Sequence, residues 1–355
     1  MKILLISSTA LKTPPDNYGG LERVWWDYSI GLSELGHDVT LIGAKGSSST
    51  GAKVIETVKP WNMLSPDEQK AYGKADKVWN GWRAHEEEAF NMYKDMLPEF
   101  DVVGDASWAK WSYLGKKEAI IGTCHSIKSY NSKPPQSYPL FTGVSRGHAR
   151  FISRDLHIPC RVLWNPVNIE EMPFQKEKGE RILSLNRIMP QKGIHHFLTL
   201  ADQSKIKADV AGDDSQLVSD QMYVQWMKQR CAQSAYVQYH GLVTDAQRID
   251  LLKNAKCLLA FKDMGYEEVF GLSLVEALAC GTPVIAVHSW GPDDIIQDGK
   301  NGFLCNTMEE VGKAIAKVSE IKSEDCRESV KRFSRKERSM AYAKMMERVK
   351  DGSRW

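Results

Sequence analysis

The stretch most suited to chemistry is 267–283, which reads EEVFGLSLVEALACGTP. Gly271 marks a tight passage into a helical pattern, where backbone can approach a ligand closely. The helix that follows would turn its free N–H groups and positive dipole end toward an anion. Glu268 and Glu276 stand eight positions apart. If the span were fully helical they would lie about 12 Å apart along the axis, too far to share a proton. That span suits contacts at the two hydroxyl-rich ends of one extended ligand. Two acids alone read equally well as solvated or helix-capping groups. Arg187 and Lys192 pair a planar guanidinium fork with a compact ammonium, a combination that can neutralise a diphosphate or simply stand solvated in a loop. His125 follows an apolar run, and Gly19-Gly20 precedes a helical one; each by itself suits a structural role as well as a functional one. Asp213-Asp214 and Asp293-Asp294 invite a metal ion, but neither comes with a His or further carboxylate at ligand spacing. Both read as loop turns, and no metal site is expected.

These residues need scaffolding, and the chain supplies it as strand then helix, repeatedly. Buried-strand candidates in the first half are Lys2–Ser7, Asp38–Gly43, Val102–Val103, Ala119–Gly122 and Phe141–Val144, with a helix over Gly20–Gly36. A second series comprises Arg181–Asn186, Ala208–Ala211, Val237–Tyr239, Cys257–Ala260, Pro283–Val287 and Gly302–Leu304, with helices over Ala246–Asn254 and Leu272–Ala279. Apolar runs alternating with helices indicate parallel, doubly wound sheets. Two such sheets facing each other would make a cleft at the carboxyl ends of their strands, where ligands bind in these folds. The junction Arg161–Phe174 carries Pro166 and Pro173 and reads as a hinge. Residues 65–98 read as a long, mostly polar helical stretch whose Trp79, Trp82, Phe90, Tyr93 and Met96 suit packing against a sheet.

Composition narrows the classes. At 355 residues and 42% hydrophobic, the chain has room for two packed domains. A net charge of +2 excludes a strongly basic nucleic-acid binder on bulk charge. No apolar run is long enough to span a bilayer, and the N-terminal apolar run is too short for a signal peptide, so a cytoplasmic setting is expected. Seven scattered cysteines without a C-x-x-C pair fit reduced, buried thiols. A nicotinamide-dependent oxidoreductase would need G-x-G-x-x-G after the first strand; Ser7-Ser8-Thr9-Ala10 offers none.

The 267–283 stretch resembles the E-x7-E signature of retaining glycosyltransferases of the GT-B fold, family 4 (group 1) above all. Phe270-Gly271-Leu272, Glu276-Ala277 and Cys280-Gly281-Thr282-Pro283-Val284 all fit. Upstream, His240-Gly241 and Leu251–Leu259 resemble the family's approach to that motif; downstream, Ile295–Gly299 and Asn301-Gly302-Phe303 resemble its D-G-x-x-G run. Tyr18-Gly19-Gly20-Leu21-Glu22-Arg23 resembles the family's N-terminal G-G-x-E loop, and 186–193 its R-x-x-x-x-K-G element. Ser145-Arg146 resembles its V-S-x segment, read as a helix start, and Asn165-Pro166-Val167-Asn168 its P-N-G-V-D turn, with Pro166 for Gly and Asn168 for Asp.

The resemblance implies two Rossmann-like domains facing a central cleft: 1–168 on the acceptor side, 169–332 binding a nucleotide sugar, and a helix over 333–355 crossing back. It implies Glu268, His125, Arg187 and Lys192 as catalytic residues. It implies donor contacts from Gly19, Gly20, Arg187, Lys192, Gly212, Val269, Phe270, Gly271, Leu272 and Glu276: Glu276 on the ribose, Arg187 and Lys192 on the diphosphate, Glu268 on the sugar. No cofactor is implied beyond a nucleotide-sugar cosubstrate, UDP- or GDP-linked, and the acceptor is an unidentified hydroxyl. A same-fold epimerase or sugar-phosphate synthase, or an inactive sugar-nucleotide binder, are the alternatives. Lys331–Lys350 carries eight basic and two acidic residues, and Trp108–Tyr113 followed by Lys116-Lys117 mixes aromatics with cations. Both suit either peripheral membrane contact or ordinary packing.

Overall fold

The computed structural model describes residues 1–17, 19–73, 78–115, 119–127, 140–215 and 220–355. The chain forms two compact units, Met1–Pro166 with Arg335–Trp355, and Val167–Ser334. The divisions fall after 166 and 334 rather than after 168 and 332. Val167 is the reason: its N–H bonds to the Phe333 carbonyl at 2.9 Å and it bridges Ser334, so the second unit closes on itself there.

The first unit is built on a seven-stranded parallel sheet. Its strands are β1 (Lys2–Ile6), β2 (Asp38–Gly43), β3 (Lys53–Glu56), β4 (Val102–Asp105), β5 (Ile120–Cys124), β6 (Leu140–Gly143) and β7 (Cys160–Val162). They lie in the order β3-β2-β1-β4-β5-β6-β7. The central strands are buried on both faces, which is why they read as unbroken apolar runs. The edge strands β3 and β7 are only half-buried, and their mixed composition hid them from a pattern search. The connection from β1 runs through the helix Gly20–Glu34 to β2, while β4 starts the opposite direction of winding.

Residues 65–98 do not form one helix. A short helix, Pro66–Ala71, is opened by a reciprocal Ser65–Glu68 capping box, a second covers Val78–Tyr93, and a 3-10 segment over Lys94–Glu99 contains Pro98. Phe90 and Tyr93 pack with Leu97, Phe100 and Ile6 in the core of the first sheet, and Trp82 meets Trp61 and Trp108 edge-on or tilted at 6.0 and 6.3 Å. The Trp79 side chain lies outside what is described.

The C-terminal helix Arg335–Lys350 returns to the first unit and packs on Gly20–Glu34. Tyr342 closes an aromatic cluster with Tyr28 and Trp25, at 4.9 and 6.2 Å. Much of its basic excess is committed internally. Arg335 bonds Asp27 at 2.7 and 2.8 Å in a pair that is nearly enclosed, Arg338 stacks over Trp164, and Lys350 reaches Asp101. Trp108–Tyr113 likewise turns inward: Lys110 and Ser112 are buried, and Trp111 donates to the Arg83 carbonyl at 3.0 Å. Lys116 and Lys117 lie outside the described residues.

The second unit carries a six-stranded parallel sheet of β8 (Ile182–Leu185), β9 (Ala208–Ala211), β10 (Val237–Gly241), β11 (Cys257–Ala260), β12 (Val284–Val287) and β13 (Gly302–Cys305), in the order β10-β9-β8-β11-β12-β13. Phe197, Leu198, Met227, Leu259 and Ile285 pack its main core. Strand order reverses between β8 and β11, which leaves a crevice beyond their carboxyl ends. Among the described residues no helix is long and apolar enough to cross a membrane.

Removing one member of a buried ion pair strands the other. Asp27→Ala is therefore expected to destabilise the protein by about 3–5 kcal/mol. Chemical denaturation checks this; a loss under about 1 kcal/mol would mean that Arg335 finds solvent and the helix return does not depend on the pair.

Candidate active site

The crevice of the second sheet gathers residues that lie far apart in the chain. Beyond β8, the chain runs through Asn186 and Arg187 to a single 3-10 turn, Pro190–Lys192, and then into the helix Ile194–Ser204. Lys192 is buried, and its ammonium bonds the Glu268 carboxylate. Glu268 lies on the segment beyond β11, the strand on the other side of the order reversal. Burial is the largest single influence and works to lower the Lys192 pKa, but the Glu268 charge, Tyr266 and the Glu268 hydrogen bond together outweigh it, and the ammonium stands above its usual range. The Tyr266 ring lies 5.0 Å from the Lys192 nitrogen. Half-buried Arg187 is close enough that its charge pushes the Lys192 pKa the other way. The site thus holds two cations against one carboxylate.

Glu268 is held from behind. Its backbone N–H donates to the Ser289 hydroxyl oxygen at 2.7 Å, and its carbonyl accepts from Gly291 N–H at 2.8 Å. The Ser289 hydroxyl in turn donates to Glu267 at 2.6 Å, and Glu267 pairs with Lys262 at 2.7 Å. Val269 is half-buried; Phe270 is core, its ring edge-on to Phe333 at 5.6 Å, so only its backbone can face a ligand. Gly271 takes a left-handed conformation, φ 92°, and starts the helix Leu272–Ala279. A Cβ there would meet the Leu274 side chain at 2.9 Å, and it is the left-handed turn that requires glycine.

The helix begins at Leu272, so Glu268 lies in the loop before it and Glu276 in its second turn. The fully helical separation does not apply. Glu276 is buried and ion-paired with Arg248, on the helix Asp245–Asn254. Burial works to lower the Arg248 pKa, and Glu276 first, then Asp245, carry it above the usual value. Nothing in the spacing of 248 and 276 signals this contact, which arises only when two helices meet. Gly212, φ 154°, ends β9 against Asn186: a Cβ there would stand 1.6 Å from the Asn186 carbonyl oxygen, so no side chain fits. Asp213 caps the turn by accepting from Ser215 N–H at 2.9 Å, and Asp214 accepts from Tyr239 and Lys228, both at 2.7 Å. Asp293 and Asp294 sit in a one-turn helix, Pro292–Ile295, rather than a plain turn.

The remaining expected site residues belong to the first unit. Gly19 caps and Gly20 begins the helix Gly20–Glu34; Tyr18 lies outside the described residues. The buried Glu22 in its first turn accepts from Ser8, and burial pushes its carboxyl above the usual range. His125 follows β5, edge-on to Trp25 at 5.6 Å. Burial first, then the Lys110 and His148 charges, hold its imidazole well below the ordinary value, so it is neutral near pH 7. His148 braces the same turn: its Nδ1 accepts from Val144 N–H at 3.3 Å, which leaves Nε2–H to donate to the Ser126 carbonyl at 3.1 Å. Glu86 accepts from Trp108 N–H at 2.9 Å, and burial pushes its carboxyl up to about 7.

Two parallel α/β sheets, the second with cations and a carboxylate at its order reversal, define a chain of the GT-B fold. Residues 168–340 match the model of the family described as glycosyl transferases group 1. Over 173 residues the chain is 30% identical to the alpha-1,3/1,6-mannosyltransferase ALG2 of Homo sapiens, covering 42% of this chain and 41% of that one. The chain spans less than half the length of the first curated relatives it matches. In structure it is similar to AviGT4, a glycosyltransferase involved in avilamycin A biosynthesis, with a TM-score of 0.73, 21% identity and coverage of 100% of this chain and 99% of that one. It is also similar to Anabaena Alr3699/HepE in complex with UDP and glucose, with a TM-score of 0.68, 15% identity and coverage of 98% and 99%.

Burial lowers the His148 imidazole to about 4, against 6.5 as its ordinary value. The unfolded chain therefore takes up this proton first as the pH falls. The contribution to stability is complete above pH 6.5 and is lost progressively down to pH 4. At pH 5 the loss is on the order of 2 kcal/mol. Glu86, raised to about 7, acts in the opposite direction between 4.5 and 7, but it is common to both proteins and cancels in their difference. His148→Gln is expected to lose less stability between pH 7 and pH 5 than the native protein. Parallel stability–pH curves from urea melts would refute the buried neutral His148.

Proposed function

We propose that this chain is a retaining glycosyltransferase. It moves a sugar from a nucleoside-diphosphate sugar, UDP- or GDP-linked, to a hydroxyl acceptor. The observation that carries the reading is the Lys192–Glu268 contact at the carboxyl ends of β8 and β11, beside Arg187 and the start of the helix at Leu272. A departing diphosphate needs fixed positive charge, and Arg187 and Lys192 supply it without asking a metal of the reaction. The forming sugar cation and its hydroxyls need an acceptor group, which Glu268 supplies. Glu276, oriented by Arg248, is the ribose contact. The group 1 family match and the structural neighbour in complex with UDP and glucose support a nucleotide-sugar reading.

In a same-face mechanism the leaving phosphate takes the acceptor proton, so no protein base is required. His125, neutral, donates or accepts a hydrogen bond and does not add charge. Gly19, Gly20 and Gly212 let backbone come close to the donor, and Val269–Leu272 offer their backbone N–H groups. We assign the enzyme to the cytoplasm on its unpaired cysteines, six of which are buried.

The test is release of nucleoside diphosphate across a panel of nucleotide sugars and hydroxyl acceptors, with EDTA present throughout. Turnover is expected with at least one donor. None with any, while donor binds, would favour an inactive sugar-nucleotide binder. Lys192→Ala and Arg187→Ala should each lower kcat by roughly 10²–10³ while changing donor affinity less. Near-native kcat in both would leave Lys192 a structural partner of Glu268 and Arg187 a loop cation, with no part in the transfer.

The two glutamates separate in a binding experiment. Glu268→Gln releases Lys192 from its carboxylate. Affinity for the free nucleoside diphosphate should then hold or rise, while the intact donor weakens. Glu276→Gln should weaken both, by about 1.5–3 kcal/mol for one charged hydrogen bond. Calorimetry decides: identical behaviour of the two variants toward the free diphosphate would overturn their placement.

A further inference from the structure

Beside the donor loop, a second cluster is left unused by the proposed reaction. We infer that His195, His196 and Asp263 form a binding site for one transition-metal ion of the zinc type. One ligand atom from each of the three can be chosen so that all lie within 4.8 Å of one another, and all three side chains are half-buried. His195 and His196 occupy the first turn of the helix Ile194–Ser204, their ring centroids 4.1 Å apart. Asp263 lies beyond β11, fixed by its backbone N–H to the Gln191 carbonyl at 3.0 Å. One of its carboxylate oxygens accepts from Met264 N–H at 3.0 Å, which leaves the other for an ion.

Zinc draws nitrogen and oxygen ligands to about 2.0–2.2 Å, which sets tetrahedral ligands about 3.4 Å apart, so the most separated of the three atoms would close by up to about 1.5 Å on binding. Half-buried side chains can supply that by small rotations. An outer partner is also present. The Tyr223 hydroxyl oxygen accepts from His195 N–H at 3.1 Å and lies 3.1 Å from His195 Nδ1. When Nδ1–H donates to it, Nε2 presents its lone pair, the tautomer a metal needs. Two imidazoles and one carboxylate select zinc, nickel or cobalt over magnesium and calcium, which prefer oxygen ligands. The set leaves room for a fourth ligand, a water molecule.

The site would be coupled to the donor loop, because Asp263 is tied to Gln191, next to Lys192. It does not depend on the transferase reading, since binding is read on the resting protein. The experiment uses tag-free, chelator-treated protein titrated with zinc chloride and, separately, magnesium chloride, followed by calorimetry. Native protein should take up one equivalent of zinc and no magnesium. His196→Ala and Asp263→Asn should each abolish uptake, and Tyr223→Phe should weaken it about 10–100-fold. Cobalt bound in place of zinc should show no thiolate charge-transfer band, which separates this site from the cysteines. If His196→Ala melts early, Asp263→Asn decides, since asparagine keeps the acceptor for Met264 N–H. Stoichiometric zinc uptake in Asp263→Asn, or none by native protein, overturns the inference.

Discussion

A buried ammonium cannot stand alone. Lys192 is kept charged at the carboxyl end of β8 because Glu268 reaches it from beyond β11. The two residues meet because β8 and β11 are neighbours at the point where the strand order of the second sheet reverses, which opens a crevice beyond their carboxyl ends. Around it the structure removes freedom. Ser289 and Gly291 hold the Glu268 backbone, Gly271 turns it into a helix, and Gly212 lets β9 close against Asn186. A diphosphate arriving there would compete with Glu268 for Lys192, so the pair is also a place where binding and ordering are linked.

The first unit handles charge differently. Its buried acids and imidazoles are mostly neutral or internally satisfied. Glu86 is pushed up by burial while accepting from two backbone N–H groups, and His125 and His148 are pushed down. Such groups fix turns and loop ends by hydrogen bonding rather than by charge. The C-terminal helix packs on this unit and engages Arg335 with Asp27 and Arg338 with Trp164.

Much of this was legible in the chain itself. Central strands of a parallel sheet are buried on both faces, so their apolar runs identify them within a residue or two, as at Asp38–Gly43 and Cys257–Ala260. The glycine before Leu272 and the Ser145 cap, which accepts from His148 N–H, marked helix starts for local steric and hydrogen-bonding reasons. The types and order of Arg187, Lys192, Glu268 and Glu276 picked out candidate groups, and the structure places Lys192 against Glu268. Edge strands β3 and β7 and the break in residues 65–98 were not legible, since half-buried edges lack a period and a polar helix looks alike whole or broken.

Partners across long separations belong to the tertiary structure alone. Only folding showed that Arg248 holds Glu276, that Glu268 holds Lys192, and that His195, His196 and Asp263 converge. It also showed that two of the C-terminal helix's cations, Arg335 and Arg338, are engaged by Asp27 and Trp164. Local propensity and hydrophobic period act over a few residues, so sequence alone determined the elements and the candidate chemical groups. Ion pairing and ligand convergence depend on which loops the sheet order brings side by side, and no local pattern encodes that distance.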